Sequence, residues 1–258
     1  MRQRPASARP PAGASSTERS LALLQYLASQ GRAQSLADLA SALALPKATT
    51  HRICARLLER GFLVRDLNER EYTTGPALRS LAFDALGHGT LSGLRHQVLV
   101  DLVERVGETC NFTTLDGASV LYLDRVEAPR PWRLTLNVGV HVPVHCTASG
   151  KLLLALMPAN RRHELLSRLV LERMTEHTLT SVAALQAECR EIAARDHAFD
   201  REEFVTGLVA VAVPVRDASG EARATIAMHG PTTHFSLDRA SACLPSLETA
   251  ARRMSRLI

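Results

Sequence analysis

Residues 35–65 read SLADLASALALPKATTHRICARLLERGFLVR. Leu36, Leu39, Ala40 and Leu43 stand at the i, i+3, i+4, i+7 spacing that lines one face of a helix. Ser35 can cap the start of that helix, and Asp38 three residues on nearly completes a capping box. Leu45-Pro46-Lys47 then interrupts the pattern as a tight turn, and Pro46 suits the first position of the next helix. Thr50, Ile53, Cys54 and Leu57 repeat the apolar stripe before Gly61 stops it. Helix, tight turn, helix is the helix-turn-helix pattern.

Working outward, a further helix precedes it. Order is expected from Thr17, with Leu21, Leu24, Leu27 and Ala28 on one face and Gly31 as the C-cap. Downstream, Phe62–Arg65 and Arg70–Thr73 read as strands joined through the polar segment 66–69. Three helices and a hairpin within about 60 residues make a winged helix-turn-helix over 17–76. A three-helix bundle with an unrelated role is the alternative, and the basic third helix and the wing speak against it. Residues 1–75 hold 11 Lys+Arg against 6 Asp+Glu, whereas residues 76–258 hold 20 of each. The whole net charge of +5 therefore sits on the first module, which points to a polyanion partner for that module, double-stranded DNA.

With its stripe facing inward, the basic third helix turns Ala48, Arg52, Ala55 and Glu59 outward, flanked by Thr49, His51 and Arg56. Small alanines let a helix backbone approach a major groove closely. Arg52 can reach a guanine edge, and Arg56 or Lys47 can reach phosphates. Thr49 and the helix N-terminus suit another phosphate. Arg65 and Arg70 on the wing suit backbone or minor-groove contacts.

Residues 1–16 are Arg/Pro/Ala/Ser-rich and are expected to be a disordered basic tail. Residues 77–106 read as a helical linker: a short helix from Pro76 to Leu86, a Gly-His-Gly break at 87–89, then a helix from about Leu91 to Val106. From Glu108 the period changes to two. Cys110–Leu115 and Ser119–Glu127 flank Asp116-Gly117, a strong hairpin signal. A strand is expected near Arg133–Asn137. Helices are expected at Ser149–Leu156, Ala159–Leu169 and Val182–Ala194, two more strands at Gly207–Val215 and Ala222–Gly230, and a last helix over Leu237–Arg256. Strand pairs with interposed helices give an α+β domain over 107–258.

Five cysteines, at 54, 110, 146, 189 and 243, include no CxxC and no even framework, which excludes a disulfide scaffold and a zinc site and fits a reducing cytosol. No apolar run reaches 18 residues and no signal-peptide core is present, so a cytoplasmic chain without a membrane span is expected. Neither a metal nor a cofactor is expected.

"SLADLASALALPKATTHRICARLLERGFLVRD…YTTGP", "LDGASVLYLDRVE", "GVHVPVHCTASGKLLLA", "HAFDREEFVTGLVAVAVPVRD" and "AMHGP" stand in order along the chain. Together they resemble the IclR family of bacterial regulators over about residues 17–257. The resemblance implies a GAF-like effector domain with a mainly antiparallel sheet flanked by helices. It also implies homodimers or homotetramers on palindromic operator DNA, controlled by a small metabolite of the organic or aromatic acid class. It places the effector among Asp200, Leu208, Ala210, Ala227 and His229, with the segment carrying Val144, Cys146 and Ser149 as the other wall.

The residues support that placement independently. Alternation in 207–215 sets Leu208, Ala210, Ala212 and Pro214 on one face and four valines on the other. The alanine face leaves space, and Thr225, Ala227 and His229 share a face of the next strand, so facing small residues with a few polar groups describe a ligand cavity. Against the pattern of the family it resembles, which offers thiol or hydroxyl groups at the positions of Ala210, Ala227 and His229 to small oxoacids, this sequence implies a roomier, less polar pocket with one imidazole. Lys151 reads as a surface charge. Two rivals remain: an enzyme with a cysteine nucleophile, and a DNA-binding redox sensor using Cys146 or Cys110. Adjacent His145 and Cys146 in an extended segment point apart, against the first; the second requires a low thiol pKa.

Overall fold

A computed structural model describes residues 10, 13–30, 32–66, 70–87, 90–130 and 136–258. The expected cap at Gly31, the wing tip at 67–69, the 88–89 break and the 133–135 strand start lie outside the described residues. The chain forms two compact units, Met1–Ala85 and Leu86–Ile258.

In the first unit, α1 (Ser16–Gln30), α2 (Leu36–Leu43) and α3 (Lys47–Glu59) surround Leu23, Leu27, Leu39, Leu43, Ile53, Cys54, Leu63 and Tyr72. Ser35 and Asp38 form a complete capping box, and the turn after α2 is made by Ala44 in the left-handed region at φ 51°. The wing strands β2 (Leu63–Arg65) and β3 (Glu71–Thr74) pair antiparallel. A two-residue strand not visible in the sequence, β1 (Gln34–Ser35), pairs with β3 to complete a three-stranded sheet. The fourth helix, α4 (Pro76–Gly87), follows.

The second unit is built on one six-stranded antiparallel sheet. Its strands are β4 (Thr109–Asp116), β5 (Ser119–Val126), β6 (His141–Pro143), β7 (Ala198–Arg201), β8 (Leu208–Arg216) and β9 (Ala222–Pro231), in the order β6-β5-β4-β9-β8-β7. The period-two alternation sorts its two faces. Val209, Val211, Val213 and Val215 join Cys110, Phe112, Ile226 and Met228 in a core beneath α5 (Thr90–Val106) and the C-terminal helices. The opposite face carries Val120, Tyr122, Ala212 and Ala227 against α6 (Ala148–Leu156) and α8 (Val182–Arg195), with α7 (Ala159–Arg168) adding Leu166.

Several details depart from the sequence reading. The second helix of the expected linker, α5, is part of this unit: Val98, Leu99, Leu102, Val103 and Val106 are buried in its core, whereas Leu91 and Leu94 are exposed. The last helix divides into α9 (Leu237–Ala242) and α10 (Leu244–Met254) because Pro245 lacks the N–H that would continue the ladder. Leu136 and Asn137 are not in a strand; the strand of this region is β6, with three residues too few to show a period.

Candidate functional site

Six of the eight residues expected at the effector site surround one cavity: Ser149, Asp200, Leu208, Ala210, Ala227 and His229. The sheet face of β8 and β9 supplies four of them, β7 supplies Asp200, and the first turn of α6 supplies Ser149. Val144 and Cys146 do not line it; both are fully buried in the extended segment that leads into α6. That segment crosses the first turn of α6 so closely that a Cβ on Gly150 would lie 2.1 Å from the Val144 carbonyl oxygen. Glycine is therefore required at 150 for the wall to keep its course.

The cavity is compact, about 30 Å³, rather than roomy. Tyr122, Leu136 and Phe204 line it together with the alanine face. It is also more polar than the strand pattern implied, because Asn111, Tyr122 and Thr147 join Ser149, Asp200 and His229.

Its hydrogen bonds fix which groups can still act. The Arg125 guanidinium donates to Asn111 Oδ1 at 3.1 Å, so the Asn111 amide nitrogen must face the other way. It lies 3.1 Å from His229 Nδ1 and donates to it. The His229 ring then carries its proton on Nε2. Burial, reinforced by the Arg125 cation, pulls the pKa of His229 down to about 3, so the imidazole is neutral. A second chain runs from the opposite side. Thr225 Oγ1 donates to Ser149 Oγ at 2.8 Å and lies 2.8 Å from Thr113 Oγ1. Thr225 has spent its proton on Ser149, so Thr113 donates to Thr225 and the Ser149 hydroxyl proton is left over. Thr147 caps α6 by accepting from Gly150 N–H, and its own proton goes to the Pro143 carbonyl.

Asp200 is the one acid among the cavity residues. Its Oδ1 accepts from the N–H groups of Glu203 at 2.7 Å and Phe204 at 3.3 Å. Burial, then the neighbouring Glu203 carboxylate, push its pKa up to about 7 against those two bonds. Behind it Lys151, expected at the surface, is fully buried and ion-paired with Glu203, itself 4% exposed. The helix that carries Lys151 is enclosed on every side from Ala148 to Ala155, which no amphipathic pattern announces. One oxygen of Glu203, Oε2, is buried without a partner among the described residues.

The two cysteines of the redox alternative are held as thiols. Burial, then the Asp200 and Glu203 carboxylates, push Cys146 up to about 12, and burial raises Cys110 further. Both lack the electropositive, exposed setting that a reactive thiolate needs.

On the first unit, Lys47, Ala48, His51, Arg52 and Arg56 are exposed along α3, with Thr49 half-buried. Arg65 lies over the Tyr72 ring at 5.6 Å, and Arg70 is exposed beside the wing tip. Arg52 and Arg56 share a hollow with Arg19 of α1. Arg19 lies off the apolar face of α1, so the helical stripe of the sequence does not mark it. Asn111 and Tyr122 are not singled out by the sequence either, although alternation with Cys110 and Phe112 puts Asn111 on the cavity side of β4.

Among the described residues no group of three or more His, Cys, Asp and Glu could hold a metal ion, and no helix is long and apolar enough to cross a membrane.

Comparison with known proteins matches two family descriptions. Residues 84–256 match the bacterial transcriptional regulator IclR C-terminal family, and residues 16–67 match the IclR helix-turn-helix domain. The chain is similar to the probable transcriptional regulator SauR of Cupriavidus necator, with 39% identity over 92% of this chain and 94% of that protein. It is 30% identical to the transcriptional repressor IclR of Escherichia coli over 87% of this chain and 82% of that protein. The crystal structure of Thermotoga maritima IclR superposes with a TM-score of 0.63 at 26% identity, covering 93% of this chain and 97% of that one.

Proposed function

We propose that this chain, which belongs to the IclR family of bacterial transcriptional regulators, binds operator DNA through its first unit and releases or tightens that grip when a compact organic acid occupies the cavity of its second. The family is one of regulators rather than enzymes. The DNA-facing set is Lys47, Ala48, Thr49, His51, Arg52, Arg56, Arg65 and Arg70. The effector is held by Ser149, Asp200 and His229, between the apolar walls of Leu208, Ala210 and Ala227. Val144 and Cys146 serve that site from behind, by shaping the wall.

The observation that carries the effector reading is the convergence of unspent donors on one cavity. His229 Nε2–H and the Ser149 hydroxyl donate to no described residue, the N–H groups of Ala148 and Ser149 precede the first hydrogen-bonded N–H of α6, and the positive end of the α6 dipole adds to them. Such a set recognises a carboxylate. A GAF-like description suits the curled sheet with helices on both faces. Exposed Leu91 and Leu94 at the start of α5 support assembly into a homodimer or homotetramer, which palindromic operators require.

Thermal melting against a panel of small organic acids tests this reading. An acid at about 100 times its dissociation constant should stabilise the protein by about 2.7 kcal/mol, and Ser149→Ala should lose most of that shift. If no acid in the panel moves the transition, the cavity is not an acid site.

A further inference from the structure

Arg19 of α1 and Arg52 and Arg56 of α3 meet around a hollow of about 80 Å³, which Ser16, Ser20 and Thr49 also line over the buried Ile53. No ion pair or hydrogen bond joins any of the three guanidinium groups to a described residue. The nearest acid along α1, Glu18, is engaged by the Ser15 N–H at 2.6 Å, and Glu59, one turn beyond Arg56 at the end of α3, makes no ion pair with it. Three cations on one hollow repel each other unless an anion sits among them. Arg52 and Arg56 are exposed, so salt would screen a lone small anion there. A polyanion that is anchored elsewhere on α3 and the wing pays no such penalty.

We propose that this hollow seats one phosphate of the DNA backbone, with Arg19 as a positioning residue beside Arg52 and Arg56; the proposal rests on the DNA-binding reading of the first unit. Arg52 then holds the backbone rather than reading a guanine edge. Base reading falls to the face carrying Ala48, His51 and Ala55, which stand off the hollow. Alanines there can meet thymine methyl groups, and the phosphate seat sets their register.

The test uses the full chain, two duplexes and a salt series. One duplex is selected from a random library by the wild type; the other has random sequence. Arg19→Gln and Arg52→Gln should each weaken both duplexes by the same factor and lower the slope of log affinity against log salt by about one. Arg19→Lys should restore most of the slope, and melting curves should show all variants folded. Unchanged affinity and slope in Arg19→Gln would overturn the seat. So would a loss in Arg52→Gln confined to the selected duplex, which is the mark of a base contact. Calorimetry with inorganic phosphate on DNA-free protein should show no binding; millimolar binding lost in Arg19→Gln would assign the hollow to a free anion instead. A wild type that binds neither duplex removes the DNA-binding reading itself, whereas the other outcomes remove only the seat.

Discussion

Asn111 on β4 and His229 on β9 hold each other across adjacent strands, with the Asn111 amide nitrogen 3.1 Å from His229 Nδ1. The contact fixes the tautomer, and Arg125 fixes the contact. A histidine read from sequence alone invites a proton switch near neutral pH. In its place in the fold His229 is a permanent neutral donor. Its imidazole resonances should show no titration between pH 5 and 8 and a proton on Nε2. A His229 signal titrating above pH 6 would remove it from this role.

The pH sensitivity of the cavity belongs to Asp200 instead. Its pKa of about 7 in the folded chain lies above the ordinary carboxylate value. A bound anionic acid favours the protonated form, so binding should take up a proton above pH 7. Affinity should therefore hold steady below that pH and fall, by up to about tenfold per unit, above it. Asp200→Asn should flatten the profile. Calorimetry in buffers of different ionisation heat checks the proton uptake, and an affinity that rises with pH would reverse the assignment.

The same group has a signature in stability. A carboxyl whose pKa is raised on folding stabilises fully below its unfolded value, near pH 4, and that contribution is lost as pH rises through about 7. Asn at 200 keeps an acceptor for the Glu203 and Phe204 N–H groups. Asp200→Asn should accordingly raise the melting temperature at pH 8 and have little effect at pH 4. Equal shifts at both would contradict the raised pKa.

Much of this architecture is legible in the sequence because packing there follows a period. The four valines of β8 face one core and its alanines the other, as their alternation requires. The helix-turn-helix is marked by caps and stripes whose chemistry is local. What escapes has no period to reveal it. Strands β6 and β7 have three and four residues, and Leu136 and Phe204 reach the cavity from irregular segments. Lys151 looks like a surface charge because a lysine seldom lies in a helix enclosed on every side. Its partner Glu203 is 52 residues away, so no local pattern links them.

That pair gives a further expectation. Lys151→Met leaves the buried Glu203 carboxylate without its cation and should cost about 3–5 kcal/mol. Adding Glu203→Gln should recover a large part of the loss. Chemical denaturation of both variants checks this, and additive losses would show that the two residues do not act as a pair.

Ligand-dependent DNA affinity is the most direct measure of whether the cavity regulates the helix-turn-helix unit. The acid that gives the largest melting shift should change the affinity of the wild type for a selected duplex by at least about fivefold. Ala210→Val, which fills much of the cavity, should bind the duplex as tightly as the wild type does without ligand, and should not respond to the acid. An equal response in the filled variant, or a wild type whose DNA affinity no cavity-binding acid alters, would contradict the regulatory role assigned to the site.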